Sequence, residues 1–205
     1  MSDLYRTLSL LLVILVLGGC VWRGYKPPIE MVQIEGEDRC PSIGTQNLSE
    51  ADSTALIESV SASCRVIHSQ SFFNEMAGLT LRDRCKGGAE VSGSEVVRML
   101  REKLPDYSVV VRKPWMAEAV TDAHNARIAI RRKRIEAWEA GAPRSAALID
   151  TTVHEWTHLF LTSERNVRFM DDGHSKDPSS ACANEKLVSY KTGQIAAQVF
   201  MSGDF

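Results

Sequence analysis

The apolar positions of this chain fall into three regimes. The first is the run Leu8-Ser-Leu-Leu-Leu-Val-Ile-Leu-Val-Leu17. Ten helical residues rise about 15 Å, half of what a bilayer core requires, so the run predicts a cleavable leader rather than a spanning helix. From 21 to 47 the apolar residues lose any period among Pro27-Pro28, Gly36 and Pro41, which reads as a tether. Periodic structure begins at Ser49, where Ser49-x-x-Asp52 predicts a capped helix burying Leu56, Ile57 and Val60. Residues 86–94 form a glycine-rich loop, and Ser94 is expected to cap a helix over 95–104, stopped by Pro105. The β-branched runs 108–112 and 127–131 are the two strand candidates. Pro143 and Ser145 then open an apolar helix over 145–163, and Ser179 or Ser180 opens another over 181–201, with Leu187, Val188, Ile195, Val199 and Phe200 inward. The result is an α+β domain with a short mixed sheet and its helices mostly towards the C-terminal end.

Composition narrows this reading. The 205 residues are 44% hydrophobic and 24% charged, which suits one globular domain, placed at 48–205. The net charge of −2 gives no bulk attraction to nucleic acid, and no such partner is expected. Trp115, Trp138 and Phe72-Phe73 read as core. Arg131-Arg-Lys-Arg134 reads as a solvated helix face, with anionic lipid or an acidic substrate as the alternatives.

The leader ends in Leu17-Gly18-Gly19-Cys20, which resembles a bacterial lipobox. That resemblance implies a signal peptide over 1–19, an acylated Cys20 and a tether over 20–47. The protein would then be lipid-anchored in the cell envelope. Val21 after the lipidated cysteine favours the outer membrane, facing the periplasm. Cys40, Cys64, Cys85 and Cys182 remain, an even number in an oxidising compartment. Two disulfides are expected, with three connectivities open. A thiolate metal site is disfavoured because no pair has C-x-x-C spacing.

The chemistry concentrates in His154-Glu155-Trp156-Thr157-His158. Histidines four apart project from one face of a helix, about 40° apart, and imidazole nitrogens suit zinc. Glu155 is rotated by about 100° and reaches a water at the metal rather than the metal itself. With uncharged residues at Thr151, Thr152, Trp156, Thr157, Leu159 and Phe160, the segment resembles the zincin metallopeptidases. The metzincin continuation is absent, since Leu161 and Glu164 stand where its glycine and histidine belong.

Two residues compete to be the third ligand. Glu185, in Asn184-Glu185-x-x-x-Ser189-x-x-x-Gly193, resembles the glutamate of the gluzincin ligand helix, with Ser189 in place of its acidic partner and able to accept from His154 Nδ1–H. His174, after Asp171-Asp172-Gly173, is the alternative ligand; otherwise it is free to donate to a developing oxyanion. Asp171 and Asp172 themselves read as a turn, with calcium as the alternative. The resemblance implies a small zincin-like domain with an active-site helix and a C-terminal ligand-bearing helix. The expected activity is hydrolysis of peptide or protein substrates by zinc-activated water, with Glu155 as general base and 127–131 as the cleft edge that pairs with extended substrate. A lipoprotein whose zinc site is structural or inactive and binds an envelope partner is the competing class. Oligomeric state is not encoded in any of these features.

Overall fold

A computed structural model describes residues 29, 31–34, 40–46, 48–112, 117–139, 141, 144–180 and 182–205. The leader over 1–19, Cys20, much of 21–47 and Trp115 lie outside the described residues; within the expected tether, 31–32 and 43–46 are strands of the main sheet. Among the described residues no helix is long and apolar enough to cross a membrane.

Local capping sets the first helices. Ser49 Oγ accepts from the Asp52 amide at 3.1 Å and caps α1 (Glu50–His68), as its spacing predicts. Ser69 does the same for α2 (Gln70–Ala77). A hairpin of β3 (Thr80–Arg82) and β4 (Glu90–Ser92) follows and leads into α3 (Gly93–Glu102). The cap of α3 is Ser92, accepting from the Glu95 amide at 3.2 Å, and not Ser94. Gly93 explains the earlier start. A Cβ there would lie 1.8 Å from the Met76 carbonyl oxygen, so only glycine lets α3 begin against the end of α2.

Five strands form the main sheet: β1 (Met31–Val32), β2 (Ile43–Gln46), β5 (Tyr107–Val111), β6 (Ala119–Asp122) and β7 (Arg127–Ile130), in the order β1-β2-β5-β7-β6. The pairs β2/β5 and β5/β7 are parallel, while β1/β2 and β6/β7 are antiparallel, which makes the domain α+β with a mixed sheet. The expectation that 127–131 forms the cleft edge is corrected. Ile128, Ala129 and Ile130 are all buried, the run of a strand enclosed between neighbours, and β7 lies between β5 and β6. The edge is β6, with alternating burial from a four-residue strand that the sequence pattern did not reveal.

The remaining helices are α4 (Arg132–Glu139), α5 (Arg144–His158) and α6 (Val188–Ser202). On α5, Leu148, Ile149, Val153 and Trp156 are buried, and Trp156 Nε1–H donates to Tyr107 Oη at 2.9 Å. The rings meet edge-on at 6.4 Å, which fixes the rotation of α5 over β5 and hence the direction of its histidines. On α6, Gly193 sits where a Cβ would come within 2.7 Å of the Asp150 carbonyl oxygen and 3.2 Å of His154 Cβ. The two helices therefore pack backbone to backbone at the height of the histidines. The basic cluster lies at the start of α4 and is largely paired: Arg132 with Asp52 at 2.8 Å, Arg131 and Arg134 with Glu118 at 3.8 and 3.2 Å.

The C-terminal helix is shorter than its pattern predicts. Residues 182–187 are held out of it by a bridge between Ser175 and Ala183, by the Asn184 amide donating to the Ser175 carbonyl at 2.9 Å, and by a 3₁₀ turn over Asn184–Lys186. Ser179 and Ser180 serve local turns instead of capping α6. The disulfides resolve to Cys40–Cys64 and Cys85–Cys182, with Cα atoms 5.9 and 4.7 Å apart.

Candidate metal centre

The histidines of α5 face an open cleft of about 840 Å³, walled by β6 on one side and α6 on the other. His154 Nε2 and His158 Nε2 stand 3.3 Å apart. The third group that reaches them is the carboxylate of Asp171, whose Oδ2 is 2.9 Å from His154 Nε2 and 3.2 Å from His158 Nε2. Among the described residues this is the one cluster of three potential metal-ligating side chains. Ligands on a tetrahedral zinc with bonds of about 2.05 Å lie about 3.3 Å from one another, so the three atoms already mark one face of such a tetrahedron and need only slight opening.

Asp171, rather than Glu185 or His174, meets the two histidines. Glu185 stands on the 3₁₀ turn, exposed, outside the cleft lining and outside the cluster, because that turn is pinned away from α6. His174 lines the cleft but packs against the Tyr190 ring at 5.7 Å and joins no ligand cluster. Ser189 is near the centre by a different route from the one expected. In the first turn of α6 its hydroxyl donates to Asp171 Oδ1 instead of accepting from His154, leaving Oδ2 aimed at the histidines.

Each of these groups is oriented by a neighbour. His158 Nδ1–H faces the Phe169 carbonyl oxygen at 2.7 Å, which leaves Nε2 as the free lone pair. The ring of His154 lies edge-on to Tyr190 at 4.8 Å. Glu155 is buried in the cleft wall, and Thr121 Oγ1–H on β6 donates to its Oε2 at 2.7 Å. The loop carrying Asp171 is tied down on both sides. The Met170 amide donates to the Asp83 carbonyl at 2.8 Å, and the Asp172 carboxylate accepts from the Cys85 and Lys86 amides at 2.7 and 3.1 Å. Asp172 is thus the keystone of a turn. The part played here by Phe169, Thr121 and Tyr190, and the placing of Asp171 beside the two histidines, escaped the sequence reading.

The electrostatics follow from this packing. Burial alone would raise the Asp171 pKa, but hydrogen bonds and charge from His154 and His158 outweigh it and hold the carboxyl far below the usual range. Burial lowers the His158 pKa, yet the Asp171 contact, the Glu155 charge and the Phe169 carbonyl reverse the sign and leave it raised. Burial and the charges of Asp171 and Glu155 push the Tyr190 phenol up, so it stays protonated as a donor over the cleft. The raised His158 pKa means that in metal-free protein its charge stabilises the fold below about pH 6.5, and that this contribution is lost as pH rises through the folded value. The metal-free unfolding midpoint should therefore decline as pH rises above about 6.5, and Asp171→Asn should flatten the decline. Metal uptake must displace that proton, so affinity should rise by up to about tenfold per pH unit over the same range, as a chelator-competition titration would read.

Comparison with family models, with curated proteins and with solved structures finds no match to this chain.

Proposed function

We propose that the cleft is the active site of a zinc-dependent peptidase. The observation that carries this reading is the coincidence of three zinc-type donors at near-tetrahedral spacing with a glutamate beside them, all facing one open cleft. His154, His158 and Asp171 would hold the ion. A bound zinc would supply a Lewis acid for the scissile carbonyl and an acidified water. Glu155, aimed by Thr121, takes the proton of the attacking water and delivers it to the leaving amine. Tyr190 and His174 overhang the same cleft as donors for developing negative charge. The edge strand β6 contributes Ala119, Val120 and Thr121 to the cleft and among the described residues pairs only with β7, so an extended peptide fits beside it.

Acylation of Cys20 and placement in the cell envelope complete the proposal, supported by the Leu17-Gly-Gly-Cys20 sequence and by two disulfides that suit an oxidising compartment. The competing reading is a structural or inactive site that binds an envelope partner. It leaves the Thr121–Glu155 contact without a use, since a structural ion needs no carboxylate directed beside an open position.

The test is zinc content and peptide hydrolysis of the oxidised protein and of Glu155→Gln. The wild type should hold about one zinc per chain and cleave a peptide library. The variant should keep the zinc and lose activity by a factor of about 10³ or more, the scale of removing a group that acts in the transition state. A Glu155→Gln protein of undiminished activity would end the peptidase assignment, and a well-folded wild type that takes up no zinc would end the metal site.

A further inference from the structure

One charged group in the cleft is not used by the proposed chemistry. Asp150 lies one helical turn before His154 on α5, so it shares the histidines' face, about 5–6 Å further along the axis. Its carboxylate lines the cleft and rests on the bare Cα of Gly193, where a Cβ would meet Oδ1 at 2.3 Å. It is half-buried, yet among the described residues it makes no side-chain hydrogen bond and no ion pair. Burial accordingly raises its pKa, opposed only at a distance by His154 and Arg134. Arg134, which lines the same cleft, is committed to Glu118 at 3.2 Å. A partly desolvated carboxylate without a partner is costly unless something else satisfies it. Gln194, the neighbour of Gly193 on α6, is exposed, lines the same cleft and carries a carbonyl acceptor.

We propose that Asp150, with Gln194, forms a subsite for an organic cation of the substrate, an ammonium or guanidinium group held about one turn from the scissile bond. The subsite rests on the peptidase reading for its meaning but on its own geometry for its existence. Two sources present such a cation at that reach: a free α-amino terminus and a lysine or arginine side chain.

The experiment titrates the metal-free full chain in detergent with n-butylammonium and with its neutral counterpart butan-1-ol, following the backbone amides of Gly193 and Gln194 by NMR. Butylammonium should shift both amides saturably and butan-1-ol should not. The near-isosteric Asp150→Asn should weaken the cation at least about tenfold, the size of one charge-assisted hydrogen bond. Equal response to the two probes, or equal affinity in the variant, overturns the subsite whether or not the protein binds zinc. In zinc-loaded protein, loss of cleavage on N-acetylation assigns the cation to the terminus. A preference for lysine over norleucine in acetylated peptides assigns it to the side chain, and indifference to both changes overturns the role in substrate selection. Saturable cation binding without any hydrolysis would retain the subsite and discard the peptidase.

Discussion

Replacing Asp171 by Asn should weaken zinc binding by about a hundredfold or more while leaving the fold intact, whereas Glu185→Ala should leave it unchanged. The asymmetry follows from charge and position. Asp171 Oδ2 is 2.9 and 3.2 Å from the two imidazole nitrogens, and its other oxygen is held by Ser189, so the anion is aimed before any metal arrives. An asparagine keeps the shape but presents a neutral oxygen, and its NH₂ can equally well face the histidines. Altering even the partner of a ligand typically changes metal affinity ten- to a hundredfold, and the ligand's own charge should count for at least as much. Glu185 is exposed on a turn outside the cleft, where truncation removes nothing from the centre. Chelator competition on both variants, with circular dichroism as the folding control, decides between them. Loss of zinc from Glu185→Ala but not from Asp171→Asn would mean that the 3₁₀ turn, and not the 167–174 loop, completes the site.

What the sequence disclosed here was what helices encode locally. His154 and His158 must share a face because of the helical repeat, and Ser49 caps α1 because the cap and the amide that donates to it lie three residues apart. Fold class and the existence of two disulfides were legible for similar reasons. The third group of the cluster was not, because no local rule brings Asp171 to the histidines. Its loop is placed by Met170 reaching Asp83, by Asp172 reaching Cys85, and by a disulfide between residues 97 apart in sequence. The clue available was Asp171-Asp172-Gly173 itself, which marks a turn without saying where the turn is docked. Likewise Asn184-Glu185 with Ser189 suggested one continuous helix. The backbone bonds of Ser175 to Cys182 and Asn184 divert the first part of it, a tertiary override of a helical pattern. Strand β6 was hidden because four residues with two polar ones carry little period, although Thr121 on it is what directs Glu155.

The docking of that loop leads to the second large effect: removing Cys85–Cys182 should damage the metal site specifically, and removing Cys40–Cys64 should not. Both pairs lie near or in the core, and loss of either should cost roughly 2–5 kcal/mol of stability. Cys85–Cys182 does more, because both of its ends hold the loop that carries Asp171. The amide of Cys85 binds the carboxylate of Asp172, next to the ligand, while the carbonyl of Cys182 accepts from Ser175 at 2.7 Å. Gly173 passes so close that a Cβ on it would lie 3.2 Å from Cys85 Sγ, so the disulfide is also the surface on which the loop rests. With serines at 85 and 182 those contacts lose their common anchor, and ordering the loop must be done by the metal alone. Zinc affinity should then fall by about ten- to a hundredfold, the range associated with loss of a ligand's support. Hydrogen exchange at Asp171 to Gly173 should rise while exchange in α1 does not. The Cys40→Ser, Cys64→Ser pair should show the reverse pattern, a lower unfolding midpoint with zinc affinity retained. Equal loss of zinc from both double variants, compared below their unfolding temperatures, would reduce Cys85–Cys182 to a general stabiliser and leave Asp171 positioned by its hydrogen bonds alone.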